Sequence, residues 1–502
     1  MRVARILDAK ARTFGKKAAF IHGNTTITFR QLRESVFKLA NAITRHPDLR
    51  FGKNDKVALY LPNGMEYIYS YLALWCAGAV VVPLDFSLTQ EEVQAALIHS
   101  DAKAVITQPK ESIDWRQLKK KCKSLSEVIL CGERERGTLS FSELMEKGDN
   151  DVPPAFMNEK DTAIIFYTSG TTGKMKGVLV NYLQLGVPPQ SMEYFVELSH
   201  RDTTVCALPF SHLGGLIYVL NCLNYAMTVV LVDRFAPHEF LRLVEKYKAT
   251  CFWIVPSMYY AMLNVKDLDK MDLSSLRWIV TFGASSSPEA LKKFHQACPQ
   301  AYLLNGWGLT ETLAPTTVLP RGSDKIESVG KAPPWVHIKI FNDLDKELPV
   351  GEVGEIVVRG WMVTPGYYKD LPATREAFRN GWFHTGDLGK FDAEGFLYIV
   401  GRKKEVIKVG GELVYEPEVE AVIHKHPVVA EVAVVGVPDK LRGEVPKAFI
   451  LCKDGENVSE TDMRAFLKEH LANYKIPHKY EFVTYLPKNR AGKIDKRKLR
   501  AS

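Results

Sequence analysis

The feature that most constrains this chain is a rhythm. Short β-branched runs alternate with stretches of helical periodicity. Residues 55–61 read as a strand, 66–75 as a helix and 79–83 as the next strand. Residues 205–209, 227–232, 251–256 and 278–283 repeat the pattern, each followed by a helix candidate. Strands apolar on both faces and joined through helices predict parallel sheets covered on both sides. Thr28 to Gln31 fits a capping box ahead of residues 32–43, and Ser287-Pro288 is a good helix start. No internal repeat of fixed period stands out.

The texture changes near residue 325. Residues 338–341, 354–359 and 396–400 read as short strands separated by Gly and Asp, a β-rich module. After Gly401 it changes again. A helix opens at Tyr415 and runs through His424, strands follow at 428–437 and 446–451, and Ser459 to Asp462 fits a second capping box before a helix over 463–472. The last hundred or so residues therefore read as a small α+β unit.

Composition excludes several classes. The 502 residues are 46% hydrophobic and 25% charged, ordinary values that rule out a largely disordered chain or a disulfide scaffold. The eight cysteines are scattered with no CxxC, so neither a structural zinc nor a redox pair is expected, and a reducing cytosol fits. The first residues are basic and lack an apolar core, unlike a secretory leader. The most apolar window, 69–83, is too short to span a bilayer. A soluble, cytoplasmic chain is expected, a monomer or homodimer with no membrane contact indicated. The net charge of +8 does not call for nucleic acid, because a pocket for a phosphorylated ligand uses the same charge.

The most informative segment is YTSGTTGKMKG at 167–177, which follows an apolar strand. Glycines let the backbone approach a ligand, while hydroxyls, N–H groups, Lys174 and Lys176 suit phosphate oxygens. It is not a Walker A loop, since Met175 stands where Ser or Thr would follow Gly-Lys. The segment resembles the signature of the adenylate-forming superfamily: acyl- and aryl-CoA synthetases, peptide-synthetase adenylation domains and beetle luciferases. Further motifs follow in the family's order: LPFSH (208–212), NGWGLTE (305–311), GEVGEIVVRG (351–360), Gly366-Tyr367, GWFHTGD (381–387), GRKKEVIK (401–408) and GKI (492–494). Seven ordered agreements over nearly the whole chain identify it as a member.

The resemblance implies an α/β fold: a large N-terminal domain of two stacked parallel-sheet subdomains and a β-rich, barrel-like module, plus a small mobile C-terminal α+β domain. The division falls at 1–401 and 402–502, with a hinge near Lys404. It implies ATP, Mg²⁺ and CoA as ligands. Thr168, Ser169, Gly170, Thr171, Thr172, Gly173 and Lys176 would cradle phosphate, with Gly306, Trp307 and Gly308 beside the adenine. Trp307 departs from the family's usual Tyr, although an indole can still stack on a base. Thr310 and Glu311 would act on the phosphates, Glu311 as the Mg²⁺ ligand. Asp387 would take the ribose hydroxyls, following Thr385-Gly386 in a turn, and Arg402 would assist it. His212 would face the acid. Lys493 would hold the reacting carboxylate and α-phosphate together. After rotation of the small domain, Lys408, Gly410 and Gly411 would serve the thioester step.

The implied reaction is acid + ATP + CoA → acyl-CoA + AMP + diphosphate through an acyl-adenylate. Residues 402–502 hold 20 Lys and Arg against 15 Asp and Glu, an excess suited to polyphosphate, the CoA nucleotide or an acidic carrier protein. For the acyl tunnel the candidates are Phe210, His212, Leu213, Gly214, Trp253, Val255, Thr281 and Gly283. Gly214-Gly215 leaves room, and no Asp stands out to clamp an amino acid. Medium- or long-chain fatty acids are the first expectation. Aryl acids, including succinylbenzoate, and an acyl-AMP ligase loading a carrier protein are the alternatives.

Overall fold

A computed structural model describes residues 3–133, 135–153, 157–169, 175–282, 288–313, 315–410, 412–439, 441–488 and 494–500. The strand–helix rhythm folds as two large sheets. The first has eight strands, in the order Thr317–Val318, Tyr302–Trp307, Trp278–Thr281, Cys251–Ile254, Thr203–Cys206, Thr228–Leu231, Ala18–His22, Thr25–Thr28. Its six inner strands are parallel and each outermost strand is antiparallel to its neighbour. The second has seven strands, from Leu139–Ser140 at one edge to Met175–Asn181 at the other. It too is parallel except for the last pair, Thr162–Ser169 with Met175–Asn181.

Helices with an apolar stripe fill the space around these sheets. Phe29–Arg45 begins at the expected capping box: Thr28 accepts from Gln31 N–H, and the Gln31 side chain accepts from Thr28 N–H at 2.9 Å. Met65–Cys76 is buried nearly all round, and its Trp75 donates to Ala163 O at 3.2 Å across to the second sheet. That largely apolar helix, with only Glu66 exposed, is the seam between the layers.

The third sheet is antiparallel: His337–Phe341, Gly354–Arg359, Trp382–Phe391 and Phe378–Arg379, with Leu397–Arg402 on the other side of Trp382–Phe391. The fourth contains Glu412–Tyr415, Val406–Val409, Gly443–Cys452 and Val429–Asp439, with Lys479–Phe482 parallel to Gly443–Cys452. Glu416–Ile423 and Glu460–Lys468 pack on it through Val419, Ile423, Met463 and Leu467. The Ser459 hydroxyl accepts from Asp462 N–H at 3.1 Å as a cap, but the helix stops at Lys468, short of the expected 472.

All eight cysteines are free thiols. Among the described residues no helix is long and apolar enough to cross a membrane.

Gly215 shows how tightly the loop after Thr203–Cys206 folds back. A Cβ there would stand 2.1 Å from Pro209 O, a backbone atom that cannot swing away. Gly215→Ala should cost about 2 kcal/mol or more in urea unfolding. Gly186→Ala, whose Cβ would meet nothing within 4 Å, should stay within about 0.5 kcal/mol of the parent.

Candidate active site

In open α/β sheets, ligands bind beyond the carboxyl ends of the parallel strands. In the eight-stranded sheet those ends lead into the LPFSH loop, Val255, Phe282 and Trp307. The second and third sheets close around the same region.

Trp307 ends its strand and is buried. Its Nε1 donates to Asp387 Oδ2 at 2.9 Å, and Arg402 Nε stands 3.0 Å from Asp387 Oδ1. The expected turn before Asp387 is instead a bulge inside the strand Trp382–Phe391. Val357 pairs with His384 and Glu355 with Leu388, so Thr385, Gly386 and Asp387 stand opposite Ile356 alone. Gly386 has φ +73°, which a glycine adopts without strain, and Thr385 Oγ1 donates to Ile356 O at 2.7 Å. The bulge turns the Asp387 carboxylate toward Trp307. Asp387 and Arg402 are also direct cross-strand partners.

Glu311 lies in the short turn Thr310–Thr312, reached from Trp307 through Gly308. Tyr367 donates its hydroxyl to Glu311 Oε1 at 3.1 Å, and Thr364 N–H donates to Glu311 O at 2.7 Å. Burial pushes the Glu311 carboxyl up, opposed by hydrogen bonds that include the Tyr367 hydroxyl and by the charges of Arg402 and Lys176. Lys176 sits 4.9 Å from the Tyr367 ring centroid and is the strand partner of Thr168. One polar group thus gathers Thr168, Lys176, Thr310, Glu311, Trp307, Asp387 and Arg402. Gly306 lies under it, where a Cβ would come within 3.1 Å of Thr317 O.

His212 caps the backbone of the helix Leu213–Tyr225. Its Nε2 is 3.2 Å from Asp85 Oδ2. The loop is pinned from the other sheet: Asn63 donates to Leu208 O at 2.9 Å and accepts from Phe210 N–H at 2.8 Å, and Tyr71 donates to Phe210 O at 2.9 Å. Phe210 itself is fully buried against Tyr67, a core residue rather than an exposed wall.

Trp253 is fully buried as well. Its ring stacks on Tyr218 with centroids 3.7 Å apart, and its Nε1 donates to Gly214 O at 3.0 Å.

Lys408 and Gly410 belong to a different set of contacts. Lys408 N–H donates to Glu444 Oε2 at 3.1 Å, and Gly410 N–H to Arg442 O at 2.8 Å. Gly170, Thr171, Thr172, Gly173, Lys174, Gly283, Gly411 and Lys493 lie outside the described residues, and Ser169 is described only as a backbone strand residue. Tyr367 and Asp85 carried no role in the sequence reading. Gly366-Tyr367 belongs to the series of motifs, whereas Asp85 has no local signal at all.

The chain matches the AMP-binding enzyme family over residues 7–368 and the AMP-binding enzyme C-terminal domain over residues 418–493. It belongs to the AMP-binding enzyme family. This AMP-binding enzyme is 34% identical over 483 residues to the putative acyl–CoA ligase YdaB of Bacillus subtilis (strain 168), covering 95% of this chain and 94% of that protein. It is 32% identical over 494 residues to a feruloyl-CoA synthase of Amycolatopsis sp, covering 98% and 97%. The crystal structure of the anthranilate CoA ligase AuaEII in complex with anthranoyl-AMP superposes with a TM-score of 0.92 at 26% identity, covering 100% of this chain and 97% of that one. Long-chain-fatty-acid and aryl-acid ligases occur at similar identity, 31% and 32%, so identity alone leaves the acid open. The family and these likenesses make the AMP-binding enzyme an ATP-dependent acid–thiol ligase that releases AMP, a CoA ligase of the acyl-adenylate-forming type.

Asp85 predicts a pH effect. Burial opposes its charge, yet hydrogen bonds from His212 and Ser87 hold its carboxyl at about 2, against 3.8 ordinarily. A depressed carboxyl stabilises the fold fully above its unfolded value, and the benefit is lost as pH falls through its folded value. Asp85→Asn should therefore lower unfolding stability by about 2 kcal/mol at pH 7, with the gap about 1 kcal/mol narrower at pH 3. Urea unfolding of both proteins across that range checks it.

Proposed function

We propose that this enzyme joins an aryl or similarly compact carboxylic acid to CoA through an acyl-adenylate, using the convergent group around Asp387 for ATP. The observation that carries the nucleotide part is the Trp307–Asp387–Arg402 arrangement. An ionised carboxylate offers about four lone-pair sites, and Trp307 and Arg402 orient the two Asp387 oxygens for the ribose hydroxyls. The hydrogen bond fixes the indole, which then offers a flat face to adenine. Thr168 and Lys176, partners across the strand pair, flank the phosphates.

Glu311 is the proposed Mg²⁺ ligand. Among the described residues no group of three or more His, Cys, Asp and Glu could form an all-protein cage. That suits a magnesium that arrives on phosphates and needs one hard oxygen from the protein. When bound it would neutralise phosphate charge. In this reading Lys493 holds the carboxylate oxygen and the α-phosphate as charge develops between them. Attack at phosphorus expels diphosphate. The CoA thiolate then displaces AMP from the mixed anhydride, with Lys408 and Gly410-Gly411 serving that step after residues 402–502 turn about Lys404.

The compact acid replaces the fatty acid as first choice for a steric reason. No gap opens at Gly214-Gly215: a Cβ on Gly214 would stand 3.1 Å from a Leu208 methyl and 3.7 Å from the Phe282 ring, and one on Gly215 2.1 Å from Pro209 O. The Trp253 indole lies on Tyr218 and, 6.1 Å beyond, near Trp278. Tyr218 donates to Trp253 O at 2.6 Å, so the pair is fixed by hydrogen bonds at both ends. A long chain would have to displace that packed stack. The feruloyl and anthranilate relatives support the same class.

A panel of benzoates, cinnamates and fatty acids from octanoate to palmitate, with ATP and CoA and products read by mass spectrometry, tests the proposal. An aryl acid should exceed palmitate in kcat/KM by at least about tenfold, and AMP with diphosphate should accompany the thioester. Preference for palmitate would overturn the compact-acid reading.

Lys493→Ala should slow adenylation about a hundredfold, roughly 3 kcal/mol. It should spare thioester formation from supplied acyl-adenylate. Rapid-quench measurement of the two half-reactions separates this from equal losses, which a structural role would give.

A further inference from the structure

The segment GEVGEIVVRG carries no role in the reading above, yet its Glu355 is buried beside the nucleotide site, with 7% of its side chain exposed. Glu355 Oε1 accepts from Gly386 N–H at 3.1 Å, inside the bulge that aims Asp387. Glu355 Oε2 lies 3.4 Å from Lys403 Nζ and 3.1 Å from His384 Nδ1, with an Arg379 guanidinium nitrogen 3.8 Å away. Lys403 also pairs with Asp343 at 2.7 Å and stands between Arg402 and Lys404.

We propose that Glu355 is a positioning residue that ties the Asp387 bulge to the near end of the hinge, one oxygen holding Gly386 and the other holding Lys403. The inference rests on the reading of Asp387 as the ribose group and Lys404 as the pivot. A buried carboxylate is stable only with its charge answered, and Lys403 and Arg379 answer it here. The bulge needs an acceptor at Gly386 N–H, because the strand opposite has only Ile356 to offer. Glu355 meets both needs at once. Lys403 is thereby fixed on the nucleotide side, so rotation of the small domain begins at Lys404, and Arg402 stays aligned on Asp387. Glu355 touches no substrate and acts through Asp387 and Arg402.

Nucleotide binding reads this directly and needs no knowledge of the acid. The Kd values of Mg-ATP and of Mg-2′,3′-dideoxy-ATP are measured by calorimetry on the full chain. The ratio between them reports the ribose contacts. Asp387→Asn should abolish that ratio. Glu355→Gln should reduce it about tenfold, and the double variant should lose no more than Asp387→Asn alone. Lys403→Met, a change at a half-exposed side chain that should not impair folding, should reduce the ratio about threefold, with Lys403→Arg restoring it. Equal weakening of both nucleotides, or an unchanged ratio in Lys403→Met and Glu355→Gln while Asp387→Asn loses it, overturns the inference. If Asp387→Asn keeps the ratio, the ribose assignment itself falls, and the inference with it.

Discussion

The buried carboxylate of Asp387 is the contact on which the arrangement of the site depends. It joins the eight-stranded sheet, through Trp307, to the antiparallel sheet that carries Asp387 and Arg402. A charge that is 7% exposed cannot remain ionised without donors. Folding therefore has to bring the end of one sheet against the bulge of another. The two sheets therefore cannot drift apart without breaking the Trp307–Asp387–Arg402 contact.

A second tie works between the two large sheets. Asn63 and Tyr71, from the seven-stranded side, hold the backbone of the LPFSH loop, and Asp85 holds His212. The loop thus belongs in sequence to one sheet and in contacts to the other. Gly214 and Gly215 lie in the first turn of its helix, where Gly215 is forced by the approach of Pro209 O. The residues of this loop are placed by tertiary hydrogen bonds, and no local propensity would bring them there.

That distinction explains what could be read from the chain in advance. Strands such as Gly354–Arg359 and Trp278–Thr281 follow from unbroken β-branched runs, and the Thr28 cap follows from a four-residue pattern. Trp382–Phe391 was harder, because Gly, Thr and Asp in its middle read as a turn; the partner strand Gly354–Arg359 keeps it extended and absorbs the extra residues as a bulge. Candidate residues that lie in one short motif, such as Glu311 and Asp387, could be singled out from the sequence, and the structure sets them beside Tyr367, Trp307 and Arg402. That was not possible for Asp85, Asn63 or Glu355, whose partners lie far along the chain or in a motif with no obvious chemistry.

The acyl side shows the limit of composition most plainly. Two adjacent glycines on a helix facing a strand look like room for a chain. Room is a property of both walls, and the facing wall carries an indole whose Nε1 is drawn to the carbonyl of Gly214 itself. The space a side chain would take is already occupied, at Gly214 by Leu208 and Phe282 and at Gly215 by the Pro209 carbonyl, while the tryptophan supplies a donor to Gly214 O. The small residue and the large one are therefore a single packing unit. Neither the glycines nor the tryptophan can therefore be interpreted without the other.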